Sequence, residues 1–309
     1  MDLPQLTRDL GRETDVSGYD LIHFEPLGSK EKSWIEDPTS GERYLFKVGR
    51  PGTGENWAEV LAFGLAKALG VPTAEYQFAS FNGKQGVVSP MFFGDDDSLT
   101  LGNELLLKVN SRTGEVTVKD QTVTSIVAVL EKIICNKPPS APSYPNVKTA
   151  LQFFIGYLML DCLISNQDRH EENWGMIFTR DKTYHLAPTF DHAASLGFNL
   201  SQEAKRERLD TKDKGYAVES FVNKAKSYIH SEGKRLKTIE AFEKTGALDE
   251  SAMQAWLERL QNLSETDIRT VVDSIPDTQM TQTDKEFATR LLLSNRSRLL
   301  GLRKAGEKQ

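Results

Sequence analysis

Three oxygen-bearing side chains stand at spacings that suit phosphoryl transfer. Asp168 and Asn173 are five residues apart in the polar run that follows Ser165, and Asp191 comes 18 residues after Asn173. Phosphoryl transfer needs a carboxylate that orients the attacking hydroxyl and accepts its proton, and oxygen ligands for Mg²⁺ beside the phosphates. We therefore predict Asp168 as the general base and Asn173 and Asp191 as metal ligands, with ATP as the phosphate donor.

Each of these residues also has a structural interpretation. The run from Asn166 to Asn173 is rich in turn formers and would serve as a surface loop. Asp191 would cap a helix that begins in the Ala-Ala-Ser sequence after it. Alternatively, two strands joined by a turn at Thr179–Lys182 would carry Asp191 back beside Asn173, and this arrangement favours the metal site.

A lysine inside an apolar strand adds to the pattern. Lys47 lies in the run Tyr-Leu-Phe-Lys-Val, and a buried lysine is costly unless a counter-charge is near. The next helix offers Glu59, which lies nearer the apolar face than Glu55. We predict that Glu59 positions Lys47 against the α and β phosphates. The alternatives are an edge-strand lysine that points to water and a competing contact with Glu55.

A charged loop is expected to cover the phosphates. Gly28, Ser29 and Lys30 precede the strand-like Ser-Trp-Ile and would present backbone N–H groups and a lysine to the nucleotide. An ordinary charged β-turn is the alternative. Because the loop contains a single glycine, this prediction depends on the neighbouring features.

Two basic residues follow the predicted base directly. Arg169 is expected to pair with a nearby acidic group. His170 would either bridge the catalytic loop to Asp191 or touch the transferred phosphate, and a satisfied structural histidine is the alternative. His185 and His192 do not stand at metal-ligand spacing with His170, so we exclude a zinc site.

These residues need strands in the first third of the chain. Residues 1–17 are expected to be a polar leader. One helix is predicted at Glu55–Leu69, where apolar residues recur every three or four positions before Gly70 and Pro72. The strands are predicted at Tyr44–Val48, Tyr76–Phe81 and Val87–Phe93.

The chain beyond Gly94 is predicted to be mainly helical. Helices are expected at Val123–Ile134, at Thr149–Ser165, through most of the chain from Lys214 onward, and at Lys285–Arg303. We therefore predict an α+β, bilobal protein-kinase-like fold. Residues 1–94 would form a small β-rich N-lobe and residues 95–309 a larger helical C-lobe.

Composition excludes several classes of protein. The 309 residues carry a net charge of −6, so neither direct nucleic-acid binding nor an anionic membrane partner is expected. The apolar run Leu151–Ile164 contains Asp161 and is shorter than the roughly 18 residues of a membrane span, so no transmembrane segment is predicted. Two cysteines at no metal or redox spacing favour a reducing cytoplasm.

The chain resembles the HipA-like serine/threonine kinases in four short segments. The catalytic loop is similar in NQDRHEENW and the metal-binding segment in LAPTFD. The lysine strand and following helix are similar in FKVG and LAKALGVPTAEY, and the phosphate loop in GSKEKSW. The resemblance covers roughly residues 25 to 300.

This resemblance implies further roles. Asp168 would be the base, and Lys47 and Glu59 would serve the nucleotide phosphates. Met91 and Phe93 would fall where the hinge meets adenine, and Ser29 where family members are autophosphorylated.

The resemblance also implies a biological setting. We expect a bacterial protein kinase of the short, single-core type, with a protein substrate and an antitoxin or regulatory partner. Because some members of the family act as effectors in host cells, secretion into a host cell also stays open. The phosphatidylinositol 3/4-kinases have a similar Asp-Arg-His…Asn loop. A lipid or small-molecule kinase therefore stays open, as does a nucleotide-binding pseudokinase.

Overall fold

The computed structural model describes residues 3–24, 31–109 and 121–306. Its first part is built on a sheet whose strands are β1 (Glu13–Asp15), β2 (Asp20–Phe24), β3 (Lys32–Glu36), β4 (Arg43–Lys47), β5 (Gln77–Phe81) and β6 (Lys84–Pro90). Their order is β1-β5-β6-β4-β3-β2. Neighbours are antiparallel except β1 and β5, which are parallel. Strand β4, which carries Lys47, therefore lies inside the sheet.

Two helices pack on this sheet, α1 (Leu3–Leu10) and α2 (Glu55–Leu69). Helix α2 has the predicted bounds and ends at Gly70, whose φ of 72° is the left-handed conformation that favours glycine. A Cβ at Gly70 would also collide with the hydroxyl of Tyr144. The glycine therefore both ends the helix and admits a neighbouring side chain.

The prediction that residues 1–17 form a polar leader was wrong. Helix α1 buries Leu6 and Leu10 and contacts α2, and β1 extends the sheet. Leucines at positions 3, 6 and 10 follow the spacing of an amphipathic helix. The sequence analysis missed this apolar stripe because charged and polar residues separate the leucines.

A small antiparallel sheet lies in the second part of the chain, with strands β7 (Ser98–Leu101), β8 (Gly175–Phe178) and β9 (Tyr184–Leu186). The predicted turn between β8 and β9 is present, and Lys182 within it has a φ of 65°. The hairpin brings the chain after β9 back towards the residues that precede β8.

The remaining helices in the described residues are α3 (Gly102–Val109), α4 (Val123–Val129), α5 (Ala150–Leu163), α6 (Gln202–Asp210), α7 (Val218–Lys224), α8 (Thr238–Gly246), α9 (Glu250–Asn262), α10 (Glu265–Asp273) and α11 (Gln282–Gly306). Helix α5 is buried almost all round and contacts α8, α9 and α11. Its N-cap, Thr149, accepts from the N–H of Gln152, whose side chain accepts from the N–H of Thr149. This helix is the rigid support of the polar loop that follows it.

The chain from Lys214 onward is mainly helical as predicted, but the sequence analysis missed one hairpin in it. A hairpin of β10 (Lys226–Ser231) and β11 (Lys234–Lys237) interrupts the helices. The two turn residues, Glu232 and Gly233, have φ values of 51° and 74°. Positive φ at both positions is the pattern of a type I′ hairpin turn.

Two further details refine the expected helices. The helix predicted at Val123–Ile134 is α-helical as far as Val129 and continues as a π-helical turn at Leu130–Ile134. In the part of the chain that the structure describes, no helix is long and apolar enough to cross a membrane.

Candidate active site

A cavity of about 290 Å³ lies between the six-stranded sheet and the helical part of the chain. It brings together seven residues that the sequence singled out: Lys47, Met91, Phe93, Asp168, His170, Asn173 and Asp191. Glu59 lies behind Lys47 rather than in the lining. Gly28, Ser29 and Lys30 lie outside the described residues, so their assignment stays a prediction.

Lys47 is buried at the centre of the site. Its Nζ lies 2.9 Å from Oε1 of Glu59 and 3.4 Å from Oδ1 of Asp191. Burial alone would lower the pKa of Lys47, but the carboxylates of Asp191 and Glu59 outweigh it and hold that pKa well above its ordinary value. The lysine is therefore charged, and the alternative of an edge-strand lysine pointing to water was wrong.

The competing acid, Glu55, has a different partner. Its buried carboxylate accepts from the guanidinium and the backbone N–H of Arg50. Glu59 instead joins three elements, because Oε1 accepts from Lys47 and Oε2 accepts from the N–H of His192 at 2.8 Å. Burial raises the pKa of Glu59, and the ammonium of Lys47 opposes that rise.

The loop after α5 is held by side-chain hydrogen bonds. Asn166 donates to Asp161 at 2.8 Å and accepts from the N–H of Asp168 at 3.1 Å. Nδ2 of Asn173 donates to the carbonyl oxygen of Asp168 at 2.7 Å. Because Nδ2 is used in this way, Oδ1 is the atom of the Asn173 side chain that a cation would bind.

Arg169 fixes this loop to the segment that carries Asp191. Its guanidinium is fully buried and forms a bidentate pair with Asp161, with both N···O distances 2.8 Å. It also donates to the carbonyl of Asn173 at 2.6 Å and to Oγ1 of Thr189 at 2.7 Å. Burial alone would lower the pKa of Arg169, but the Asp161 carboxylate raises it above its ordinary value. The expected acidic partner of Arg169 is thus Asp161.

Asp191 adopts a left-handed backbone conformation, with φ of 58°. Its N–H donates to the hydroxyl of Tyr76, and its carboxylate lies near Lys47 and, at 3.9 Å, near Lys32. The helix-cap alternative was wrong, since the next helix, α6, has Ser201 as its N-cap.

His170 lies beside the predicted base. Its Nε2 is 4.0 Å from Oδ1 of Asp168, its Nδ1 accepts from the N–H of Glu172, and its ring packs edge-on against Tyr228. A role at the transferred phosphate stays a prediction. His192 is fully buried, and burial with the nearby Arg169 lowers its pKa well below the ordinary value, so this histidine is neutral.

Tyr76 and Asp161 are among the residues of the site that the sequence analysis missed. The hydroxyl of Tyr76 accepts from both Lys47 and the N–H of Asp191. Burial raises the pKa of Tyr76, so its hydroxyl stays protonated. Nothing in the local sequence of Tyr76 indicates this contact. Asp161 did carry a signal, because a carboxylate inside an apolar helix needs a buried partner.

A family comparison covers most of these residues. The model of the HipA-like C-terminal domain matches residues 24–266. The chain belongs to this family. No curated protein matches the chain by sequence.

A solved structure supports the fold of this HipA-like chain. A Helicobacter pylori proinflammatory kinase, CtkA, superposes with a TM-score of 0.74 at 18% identity, over 93% of this chain and 95% of that one. This similarity confirms the predicted α+β, kinase-like fold. A Shewanella oneidensis HipA, solved with HipB and operator DNA, gives a TM-score of 0.48 at 10% identity over 92% of this chain and 66% of that one. The latter score is too low to establish a shared fold.

Proposed function

We propose that this HipA-like protein is an ATP-dependent kinase that phosphorylates a serine or threonine hydroxyl of a protein. One observation carries the proposal: the buried ammonium of Lys47, held by Glu59, meets Asp191 in the cavity that Asp168 and Asn173 also line. Family membership supports a kinase-type function. The protein acceptor is the finer part of the proposal.

The apolar part of the cavity lining suits a purine. Side chains from the sheet, from the segment after β6 and from β7 form it, namely Trp34, Leu45, Phe92, Leu99 and Leu101. The N–H of Met91 donates to the carbonyl of Arg43 at 2.8 Å, so it is already used within the sheet. Any polar contact with adenine in the Met91–Phe93 segment would therefore use another backbone group.

The donor set fits Mg²⁺. Among residues 3–24, 31–109 and 121–306, no group of three or more His, Cys, Asp or Glu side chains forms a ready metal cage. Mg²⁺ is usually bound through one or two protein oxygens together with substrate phosphates. Oδ1 of Asn173 and the carboxylate of Asp191 would hold it, and the bound ion would neutralise phosphate charge.

Activation of the acceptor hydroxyl would depend on Asp168, whose side chain is 38% exposed. Its carboxylate would orient the hydroxyl and accept its proton as the hydroxyl oxygen bonds to the γ-phosphorus. The bond from that phosphorus to the β–γ bridging oxygen breaks, and ADP leaves. Lys47 would stabilise charge on the phosphate oxygens. A positioned base typically contributes about 10²–10⁴-fold to the rate.

The first test is the intact mass of the purified protein after incubation with Mg-ATP and a serine/threonine peptide mixture. We expect phosphate on the protein or the peptides with wild type and none with Asp168→Ala. Because Asp168 is partly exposed, the variant should keep the wild-type melting temperature. Equal phosphate incorporation by the variant would contradict the proposal, as would the absence of both transfer and Mg-ATP binding in wild type.

Family membership also motivates two narrower proposals. Ser29 would be the site of autophosphorylation, which mapping of any phosphate on the protein would test directly. A regulatory partner of the antitoxin type would bind the kinase, and co-purification of the chain with its genomic neighbour would test that. A chain that carries phosphate only elsewhere would exclude Ser29.

A further inference from the structure

The β10–β11 hairpin, together with the last residue of α7 before it, is strongly basic in an acidic protein. Residues 224–237 contain five basic side chains and one acidic side chain, whereas the whole chain has a net charge of −6. The basic residues are all exposed, namely Lys224, Lys226, Lys234, Arg235 and Lys237. The positive charge is therefore concentrated on one small surface.

The charges of this hairpin are not neutralised within the described parts of the chain. None of the five basic residues forms an ion pair with Asp or Glu there. Lys226 stands directly opposite Lys237 in the register of the two strands. Like charges in this position destabilise a hairpin, so folding alone does not explain the pair.

The hairpin is docked on the catalytic loop. Backbone N–H of Lys226 donates to Oε1 of Gln167 at 3.4 Å, and Arg235 donates to the carbonyl of Gln167 at 3.4 Å. The ring of Tyr228 lies 5.8 Å from that of His170, between centroids. Because Gln167 and His170 flank Asp168 in the chain, the basic surface adjoins the loop that carries the predicted base.

Further contacts hold the hairpin in place. The N–H of His230 donates to the carbonyl of Gln121 at 2.9 Å, and the side chain of Gln121 donates to the carbonyl of Arg169 at 2.7 Å. The guanidinium of Arg235 stacks on Tyr228 at 4.2 Å. The hairpin is thus a fixed platform rather than a loose charged loop.

We propose that the β10–β11 hairpin docks an acidic segment of the protein acceptor beside Asp168. This inference rests on the proposed kinase function. An extended chain advances about 3.3 Å per residue, so carboxylates a few residues from the phosphorylated hydroxyl would reach the hairpin. The net negative charge of the whole chain disfavours a long polyanion such as RNA, which would also meet acidic surface. A short acidic peptide segment would meet the hairpin alone.

The test compares wild type with Lys226→Glu/Lys237→Glu. The matched control is Lys132→Glu/Lys148→Glu, which makes the same charge change at two exposed residues that do not line the cavity. The probes are fluorescent serine peptides that differ only in their flanking residues: aspartates, lysines or alanines. Binding is measured by anisotropy at low and high salt, phosphorylation by label from ATP, and basal turnover by ADP release without peptide.

We expect wild type to bind and phosphorylate the aspartate-flanked peptide best, with the preference weakened by salt. The hairpin variant should bind that peptide about tenfold more weakly and show a raised KM with little change in kcat, while the control stays within about twofold of wild type. Basal ADP release should be equal in all three proteins.

Several outcomes would overturn the inference. They are equal binding of the three peptides by wild type, an unchanged preference in the hairpin variant, tighter binding of a short RNA than of the acidic peptide, and ADP release without phosphorylation of any peptide. If wild type neither releases ADP nor labels any acceptor, the proposed kinase function fails instead. The anisotropy measurement then still reports whether the hairpin binds acidic peptide.

Discussion

Two buried cations organise the site, and they are held in different ways. The guanidinium of Arg169 is enclosed by Asp161, by the carbonyl of Asn173 and by Thr189, all within the helical part of the chain or the segment attached to it. The ammonium of Lys47 comes from the sheet and is shared between Glu59 and Asp191. Of the two cations, Lys47 lines the cavity and Arg169 does not.

The hydrogen bonds of the two clusters differ accordingly. Arg169 is satisfied by short contacts from several directions, and these offset the cost of burying its charge. Lys47 has one short contact, 2.9 Å to Glu59, and two longer ones, each 3.4 Å, to Asp191 and to the hydroxyl of Tyr76. Asp191 could thus bind a cation while Glu59 keeps Lys47 paired. We call the contacts of Arg169 the closed cluster and those of Lys47 the open cluster. The closed cluster stabilises the loop, and in the open cluster Asp191 can exchange its contact with Lys47 for one with a bound cation.

The largest expected effect lies in the closed cluster. Arg169→Met leaves Asp161 buried without its cation, so the free energy of unfolding should fall by about 3–5 kcal/mol. Arg180→Met is the control, because Arg180 is 82% exposed and its pair with Asp96 should contribute less than about 1 kcal/mol. Urea unfolding of both variants measures the difference.

A second substitution sharpens this prediction. Adding Asp161→Leu to Arg169→Met removes the stranded carboxylate and should recover part of the lost stability. Equal losses for the Arg169 and Arg180 variants would mean that the closed cluster does not hold the loop.

The open cluster should respond in activity rather than stability. Asp191→Asn removes a predicted metal ligand while Glu59 still pairs with Lys47, so phosphate transfer should fall about 10²–10³-fold with little change in melting temperature. Initial rates at saturating Mg-ATP measure the loss, and Asp96→Asn serves as an exposed control. A stable Asp191→Asn protein with wild-type rate would remove Asp191 from the metal site.

The same contrast shows how far the sequence could predict the site. Lys47 and Glu59 were found together because a lysine in an apolar strand needs a counter-charge and the following helix offers one. Tyr76 was missed because its contact depends on how β5 packs beside Asp191, which no local pattern encodes. The ion pair between neighbouring elements, Lys47 and Glu59, was therefore predictable from the sequence. The contact of Tyr76 with Asp191, which joins distant parts of the chain, was not.

The fold divides in the same way. Helix α2 was predicted with its bounds because a long apolar repeat ends at a glycine and a proline. Helix α1 and the β10–β11 hairpin were missed because each is short and charged, and because tertiary packing supplies the stability that local periodicity lacks. The Glu232-Gly233 pair was the signal that could have indicated the hairpin turn.

A pH experiment separates the partners of Lys47. In Lys47→Met, Glu59 stays buried without the ammonium that opposes the burial-driven rise of its pKa. A carboxyl whose folded pKa is raised binds more protons when folded, so the variant should lose stability as pH rises from about 5 to 8, by up to about 1.4 kcal/mol per pH unit. Wild type should show a shallower slope, because the ammonium of Lys47 opposes the burial-driven rise of the Glu59 pKa. The raised pKa of Lys47 adds no slope in this range, since its contribution is lost only as pH rises above about 10.5.

The control for this slope is Lys47→Met/Glu59→Gln. Replacing the carboxyl with an amide removes the titrating group, so the slope of the unfolding free energy that Lys47→Met shows between about pH 5 and 8 should disappear. Persistence of the slope in the double variant would assign it to Asp191 or to a more distant acid. Chemical denaturation at a series of pH values measures all three proteins.

The smallest expected effect is on the rate at which a buried cysteine reacts. This rate reports how often the closed cluster opens. Cys162 adjoins Asp161 in α5, and burial raises the pKa of its thiol to about 12, whereas Cys135 is exposed. The thiolate is the form that reacts with an aromatic disulfide reagent at about pH 8. In wild type, Cys135 should therefore react fast. In Cys135→Ser, the remaining thiol of Cys162 should react only when the core opens. Adding Arg169→Met should speed the reaction of Cys162, since the helix then opens more readily, whereas adding Asp191→Asn should not. Equal acceleration by Arg169→Met and Asp191→Asn would mean that the two clusters open together. It would contradict the claim that Arg169 serves stability and Lys47 serves activity.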